Sequence, residues 1–251
     1  MRIGLCTGLE NLELCQRLGF DYIECAVSAI AALSEEDYEK ALAGVKASAV
    51  KMERANVLFP GGMKLIGPEK DQAAIDAYLE KAFARIGPLG AKTVVFGSGN
   101  ARAIPVQIPF GQGYRELVAV TKRIGEIAGN YGITIAIEPL NREETNCINS
   151  VKEGAMLEAD VGMPCVGLLA DLYHMLKDNE NIDSILAVKT LKHTHVALLE
   201  GRGYPVRVTP ELEAFFSALK KIGYDGTMSI EGNTKNLEKD AALGLRTLRS
   251  L

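Results

Sequence analysis

Four short apolar stretches of this sequence each run into a residue able to bind a metal or move a proton. In ITIAIEPL, Ile133, Ile135 and Ile137 alternate with Thr134, Ala136 and Glu138; CVGLLAD closes on Asp171, LKHTHVAL carries His195 and GTMSIEG carries Glu231. Side chains of a strand alternate between its two faces. Glu138 therefore shares a face with Ala136 and Thr134, Asp171 with Leu169 and Gly167, and Glu231 with Ser229. Small residues on that face, with bulky ones on the other, suit a barrel interior wrapped by helices. A single acid at a strand end is ordinarily a helix cap or a solvated loop residue. Four such residues at equivalent positions of consecutive strands make a constellation. Three convergent carboxylates repel one another unless protons or a cation neutralise them. One imidazole with three carboxylates is a hard, mostly oxygen donor set. It suits Mn2+, Mg2+ or Co2+ in octahedral geometry with positions left for substrate. A structural zinc site would draw on more Cys or His.

The elements that must position these residues are legible as alternation. Strand candidates RIGLCT, DYIECAV, ANVLF and KTVVFGSG precede the four above, and amphipathic segments lie between them. The helical segments include SEEDYEKALAGVKASAVKMERA, with Ser34 as N-cap, KDQAAIDAYLEKAFARIG, GYRELVAVTKRIGEIAGNYG, TPELEAFFSALKKIG and the closing NLEKDAALGLRTLRSL. Glycines end helices in RLGFDY, PLGAKT, NYGITI and KIGYDG. Spread over 251 residues, eight units average roughly 31 residues, the size of a βα repeat. This pattern predicts an α/β protein: a single (β/α)8 TIM barrel spanning residues 1–251, with its active site at the C-terminal ends of the strands. A doubly wound sheet is the structural alternative, but FGSGNAR lacks the G-x-G-x-x-G spacing of a dinucleotide loop.

Bulk properties exclude several classes. A net charge of −4 gives no basic footprint for nucleic acid. No apolar run approaches the ~20 residues of a membrane span, and MRIGLCTGLENLELC lacks the pattern of a signal peptide. The five cysteines, an odd number without a C-x-x-C pair, read as reduced thiols of a cytoplasmic protein.

The motifs around these strand ends are similar to those of a known family. IEPLNREETNCIN resembles the fifth-strand motif of ketose 3-epimerases of the D-tagatose and D-psicose (allulose) group. DLYHM resembles their Asp-x-x-His motif, HTHVALLEGRG their seventh-strand histidine and loop arginine, and SIEG their last metal glutamate. The wider group is the xylose isomerase-like TIM barrel superfamily of sugar phosphate isomerases and epimerases. The resemblance implies that Glu138, Asp171, His195 and Glu231 bind one divalent metal, Mn2+ before Mg2+ or Co2+. It implies that Glu138 and Glu231 are the acid/base pair. Glu144 would contact the substrate hydroxyls, and His174 and Arg202 the oxygen that becomes negative. Arg202 lies seven residues after His195, where the family pattern implies six. The implied partner is a small sugar, and the implied assembly a homo-oligomer, dimer or tetramer.

The implied reaction inverts a carbon beside a ketose carbonyl. A metal polarises the carbonyl, one glutamate removes the adjacent proton, and the other returns a proton to the opposite face of the enediolate. The same site fits a dehydratase or lyase acting on a keto-sugar or keto-inositol, C-glycoside cleavage included. An endonuclease IV-like DNA repair enzyme shares the barrel but builds its three-zinc cluster from many histidines, and this chain has three. Four further residues have two readings each. Glu24 ends the second strand, as a substrate contact or a polar rim residue. His193 sits one step below His195, as a hydrogen-bonded interior histidine or a ligand. Arg102 and Lys64 lie on loops, as solvated charges or as holders of a substrate phosphate or carboxylate.

Overall fold

The computed structural model describes residues 1–188 and 191–251. Strands β1 (Arg2–Cys6), β2 (Tyr22–Ala26), β3 (Met52–Asn56), β4 (Thr93–Phe96), β5 (Thr134–Ile137), β6 (Val166–Asp171), β7 (Leu191–Val196) and β8 (Thr227–Ile230) pair in sequence order, all parallel. β8 returns to β1, with Gly4 opposite Ser229, so the sheet closes. The single (β/α)8 barrel expected from the alternation is the observed fold. Its described α-helices are α1 (Leu12–Leu18), α2 (Val27–Ala32), α3 (Glu35–Ala47), α4 (Gln72–Ile86), α5 (Gly99–Arg102), α6 (Phe110–Asn130), α7 (Val151–Val161), α8 (Leu172–Lys177), α9 (Pro210–Lys221) and α10 (Leu237–Arg249). None of them is long and apolar enough to cross a membrane.

Local signals fix the helix ends. The Ser34 side chain accepts from Asp37 N at α3, and Thr209 accepts from Leu212 N at α9, where Pro210 follows as the first helical residue. Each such cap contributes about 1 kcal/mol, and proline at this position loses no helical hydrogen bond. Gly19 ends α1 in the left-handed conformation at φ 88°.

The third strand differs from the sequence reading, which placed it at 55–59 and ran the preceding helix to Ala55. α3 stops at Ala47, and Met52–Asn56 forms β3 instead. Apolar periodicity cannot separate the tail of an amphipathic helix from a strand that carries charges. Here Met52 and Ala55 are buried, while Glu53 pairs with Arg2 at 2.6 Å and Arg54 Nε donates to Thr227 Oγ1 at 3.1 Å. Val57 then leaves the sheet at φ 46°. The shift puts Asn56 at the rim.

Two kinds of core result. The outward faces of the strands, Ile135 and Ile137 among them, pack with the helices in one large apolar cluster. Inside the barrel, Val95, Ala136 and Leu169 form a small separate apolar cluster on the β4–β6 side. The β7–β8–β2 side of the interior is polar, filled by His193, Ser229, Tyr22 and Glu24, all at 0% exposure.

Candidate active site

Glu138, Asp171, His195 and Glu231 converge at the C-terminal end of the barrel, each offering one ligand atom within 4.8 Å of the others. His195 Nδ1 lies 3.1 Å from Glu138 Oε1, 3.5 Å from Glu231 Oε2 and 4.0 Å from Asp171 Oδ2. Glu138 and Glu231 stand one residue past β5 and β8, and their N–H groups still donate to the neighbouring strands, at Phe96 O and Val196 O. That pairing keeps both side chains on the inward face. Gly97 makes room for one of them: a Cβ there would meet Glu138 Oε2 at 2.3 Å. Asp171 divides its carboxylate. Oδ1 caps α8, accepting from Tyr173 N at 2.6 Å, while the buried Oδ2 has no hydrogen-bond partner among the described residues.

The electrostatics of this cluster call for positive charge. Burial disfavours a charged His195, yet Glu24 and Glu231 outweigh it and push the imidazole well above its ordinary range. Burial and the nearby Glu231 raise the Glu138 carboxyl. Glu231 is itself lowered to about 2: burial opposes this, but His195 and Arg202 prevail. Three acids, an imidazole lone pair and an orphaned buried carboxylate oxygen fit a hard divalent cation.

Below the cluster, Glu24 is fully buried and accepts three hydrogen bonds. His195 Nε2 donates to Oε1 at 2.9 Å; His193 Nε2 and Ser229 Oγ donate to Oε2 at 2.8 and 2.6 Å. Burial alone would raise this carboxyl, but His195 and His193 hold it well below the usual carboxylate range. Burial also lowers His193, leaving it neutral. His193 Nδ1 lies 2.8 Å from Thr227 Oγ1 and 3.0 Å from Thr227 O, and Arg54 Nε donates to that hydroxyl. Glu24 takes the Nε2 side of His195, so Nδ1 is the nitrogen that faces the three carboxylates and would ligate a cation there. Cys6 also approaches Glu24 and His195, but burial, with the Glu24 charge beside it, pushes its thiol well above the ordinary range.

The three residues inferred as substrate contacts gather at the same rim. His174 Nδ1 accepts from Asn141 N at 3.1 Å, so its proton lies on Nε2. That nitrogen is buried without a hydrogen-bond partner among the described residues, 3.7 Å from Asp171 Oδ2. Asn141 Nδ2 also donates to Glu144 Oε1 at 2.9 Å. Arg202 pairs with Glu231, lies 3.6 Å from Glu144 Oε1, and stacks 4.8 Å from the Tyr173 ring centroid. Between His195 and Arg202 the chain makes a tight turn, with Gly201 at φ 63° and Arg202 at φ 51°.

The residues with two readings each are decided by their surroundings. Glu24 lies beneath the cluster at 0% exposure, hydrogen-bonded to both histidines and off the rim. His193 is the hydrogen-bonded interior histidine and lies outside the four-residue cluster. Arg102 is wholly buried, donating to Phe96 O at 2.9 Å and Glu138 O at 2.7 Å, so it ties the ends of β4 and β5 and holds no substrate anion. Lys64 lies 3.4 Å from Asn100 O, on the outer loops. Two contacts went unread. Asn56 Nδ2 donates to Glu231 Oε1 at 2.8 Å, hidden by the misplaced third strand; Asn141 orients His174 from within the fifth-strand motif itself.

Comparison with known proteins agrees with this architecture. The profile of the xylose isomerase-like TIM barrel family matches residues 12–251. A ketose 3-epimerase from Arthrobacter globiformis is 30% identical over 115 residues, covering 45% of this chain and 39% of that protein. The chain thus aligns with well under half of that relative. D-psicose 3-epimerase from Agrobacterium fabrum is 26% identical over 234 residues, covering 88% of this chain and 77% of its own. The crystal structure of D-allulose 3-epimerase from Methylomonas sp. in complex with D-allulose superposes with a TM-score of 0.85 at 22% identity, covering 100% of this chain and 96% of that one. In sequence coverage and in fold, this chain belongs to the xylose isomerase-like TIM barrel family.

Proposed function

We propose that this protein is a divalent-metal-dependent epimerase of a ketose or related keto-sugar, inverting a carbon next to the carbonyl. The observation that carries the reading is the convergence of His195 Nδ1 with three carboxylates, one of them bearing the unpartnered Asp171 Oδ2. Glu138, Asp171, His195 and Glu231 would hold the ion, with Mn2+ the first choice for this donor set. When bound, it supplies Lewis-acid polarisation of a carbonyl and so acidifies the neighbouring C–H.

The chain's own residues do the rest. Glu138 enters from β5 and Glu231 from β8, different sides of the barrel mouth. One carboxylate removes the proton and the other delivers a proton to the opposite face. Asn56 fixes the Glu231 carboxyl through Oε1. His174 donates from Nε2–H, and Arg202 supplies fixed positive charge where the substrate oxygen becomes negative. Glu144, held by Asn141, accepts from substrate hydroxyls. The names of the epimerase relatives support the reaction class.

The test is a screen of the Mn2+-loaded protein against free ketoses, keto-inositols and phosphorylated sugars, with products read by NMR. An epimer of the substrate is the expected product. Loss of water or of an aglycone would place the chain among the lyases, and no turnover across the panel by fully metal-loaded protein contradicts the reading.

A further inference from the structure

Beside the cluster opens a cavity of about 400 Å3, lined from β1–β3, α2 and α3. This is within the usual size range of small-molecule sites. Its inner end holds Cys6, Glu24 and Asn56, and Asn56 is the residue that grips Glu231. Its walls are aliphatic: Leu9, Ala26, Ala29, Ile30, Leu33 and Ala41. No lysine or arginine lines it, whereas Glu10 and Asp37 do. The nearest cation to Asp37, Lys40, stands 3.9 Å away on the same helix. Arg202, the cation at the cluster, is engaged by Glu231 and Tyr173 on the other side.

A substrate whose reacting carbon lies beside Glu231 brings its neighbouring substituents to Asn56, the inner end of this cavity. A phosphate there would face aliphatic walls and three carboxylates, Glu10, Glu24 and Asp37, with no cation lining the cavity to receive it, so its desolvation would go unrepaid. An uncharged apolar group would be welcomed. We propose that this cavity is a subsite for an uncharged apolar substituent, so that the substrate is a neutral keto-sugar carrying such a group, as in a keto-glycoside, and not a sugar phosphate. The assignment rests on the epimerase reading for the placement of the reacting carbon.

One keto-sugar in three forms decides it: free, as a phosphate ester, and as a phenyl glycoside. With the Mn2+-loaded protein, kcat/KM of the phenyl glycoside is expected at least ~10-fold above the free sugar, and the phosphate ester below it. Ala29→Trp, which fills the cavity from its outer wall, is expected to cut the phenyl-to-free ratio at least tenfold. Calorimetric binding of the corresponding unreactive phenyl glycoside reads the subsite without turnover and is expected to weaken in parallel. A preference for the phosphate ester, or a ratio that Ala29→Trp leaves untouched, overturns the proposal while leaving the epimerase reading in place. Binding of the phenyl glycoside that Ala29→Trp abolishes, with no turnover of any form, supports the subsite and sinks the epimerase reading instead.

Discussion

Removing divalent cations is expected to abolish turnover, and adding Mn2+ or Co2+ to restore it. The expectation follows from the charge and hydrogen-bond inventory of the rim. His195 Nδ1 and three carboxylates lie within 4.8 Å, and Asp171 Oδ2 finds no hydrogen-bond partner among the described residues. Without a cation the group has no Lewis acid to acidify a C–H, and its acids compete for protons. The same inventory makes Glu24 a positioning residue for the ion. Glu24→Gln keeps the side-chain volume but offers His195 Nε2 an amide in place of a carboxylate, loosening the hold that turns Nδ1 to the three carboxylates. Metal affinity is expected to fall about 10–100-fold. Elemental analysis with activity assays reads the first effect, and calorimetric metal titration the second. Undiminished turnover by protein shown to be metal-free would refute the site, and an unchanged metal affinity in Glu24→Gln would remove Glu24 from it.

The other large effect concerns the acid/base pair. Glu138→Gln and Glu231→Gln are each expected to lower kcat by at least ~100-fold, since each removes a group that accepts or delivers a proton. Folding is expected to survive. Both side chains sit at the rim, the Glu138 backbone is held independently by Arg102, and Glu231 N–H is paired with β7. Thermal melts separate lost chemistry from lost structure. In the same assay His193→Asn is expected to harm activity less than His195→Asn. His193 reaches the cluster only through Glu24, whereas His195 faces it directly. The reverse order would contradict the assignment of His195 to the cluster.

How much of this could be read beforehand depended on where the signal lay. Strand ends announced themselves because period-two alternation and a terminal acid coincide within eight residues, as in ITIAIEPL. The barrel's inner network left no such local trace. Glu24 meets His195, His193 and Ser229 across sequence separations of 171, 169 and 205 residues, and only the pairing register of a closed sheet brings them together. Arg102 carries the composition of a solvated loop cation. It is buried because three backbone carbonyls at the ends of β4 and β5 and in the following loop need a donor there. Asn56 was masked by a charged strand that imitates a helix tail, and the approach of Arg202 to Glu231 runs through two consecutive left-handed residues that carry no plain sequence signal.

Solvent hydrogen incorporation tests the central claim most directly. If Glu138 and Glu231 exchange protons with the substrate at the open mouth of the barrel, the hydrogen returned to the inverted carbon comes from an acid in contact with water. A direct hydride shift would carry the original hydrogen across and admit none from solvent. The experiment needs only one keto-sugar that turns over, run in D2O with Mn2+ and analysed by proton NMR or mass spectrometry. The account expects deuterium on the carbon whose configuration changes, and product that forms readily without deuterium would contradict it.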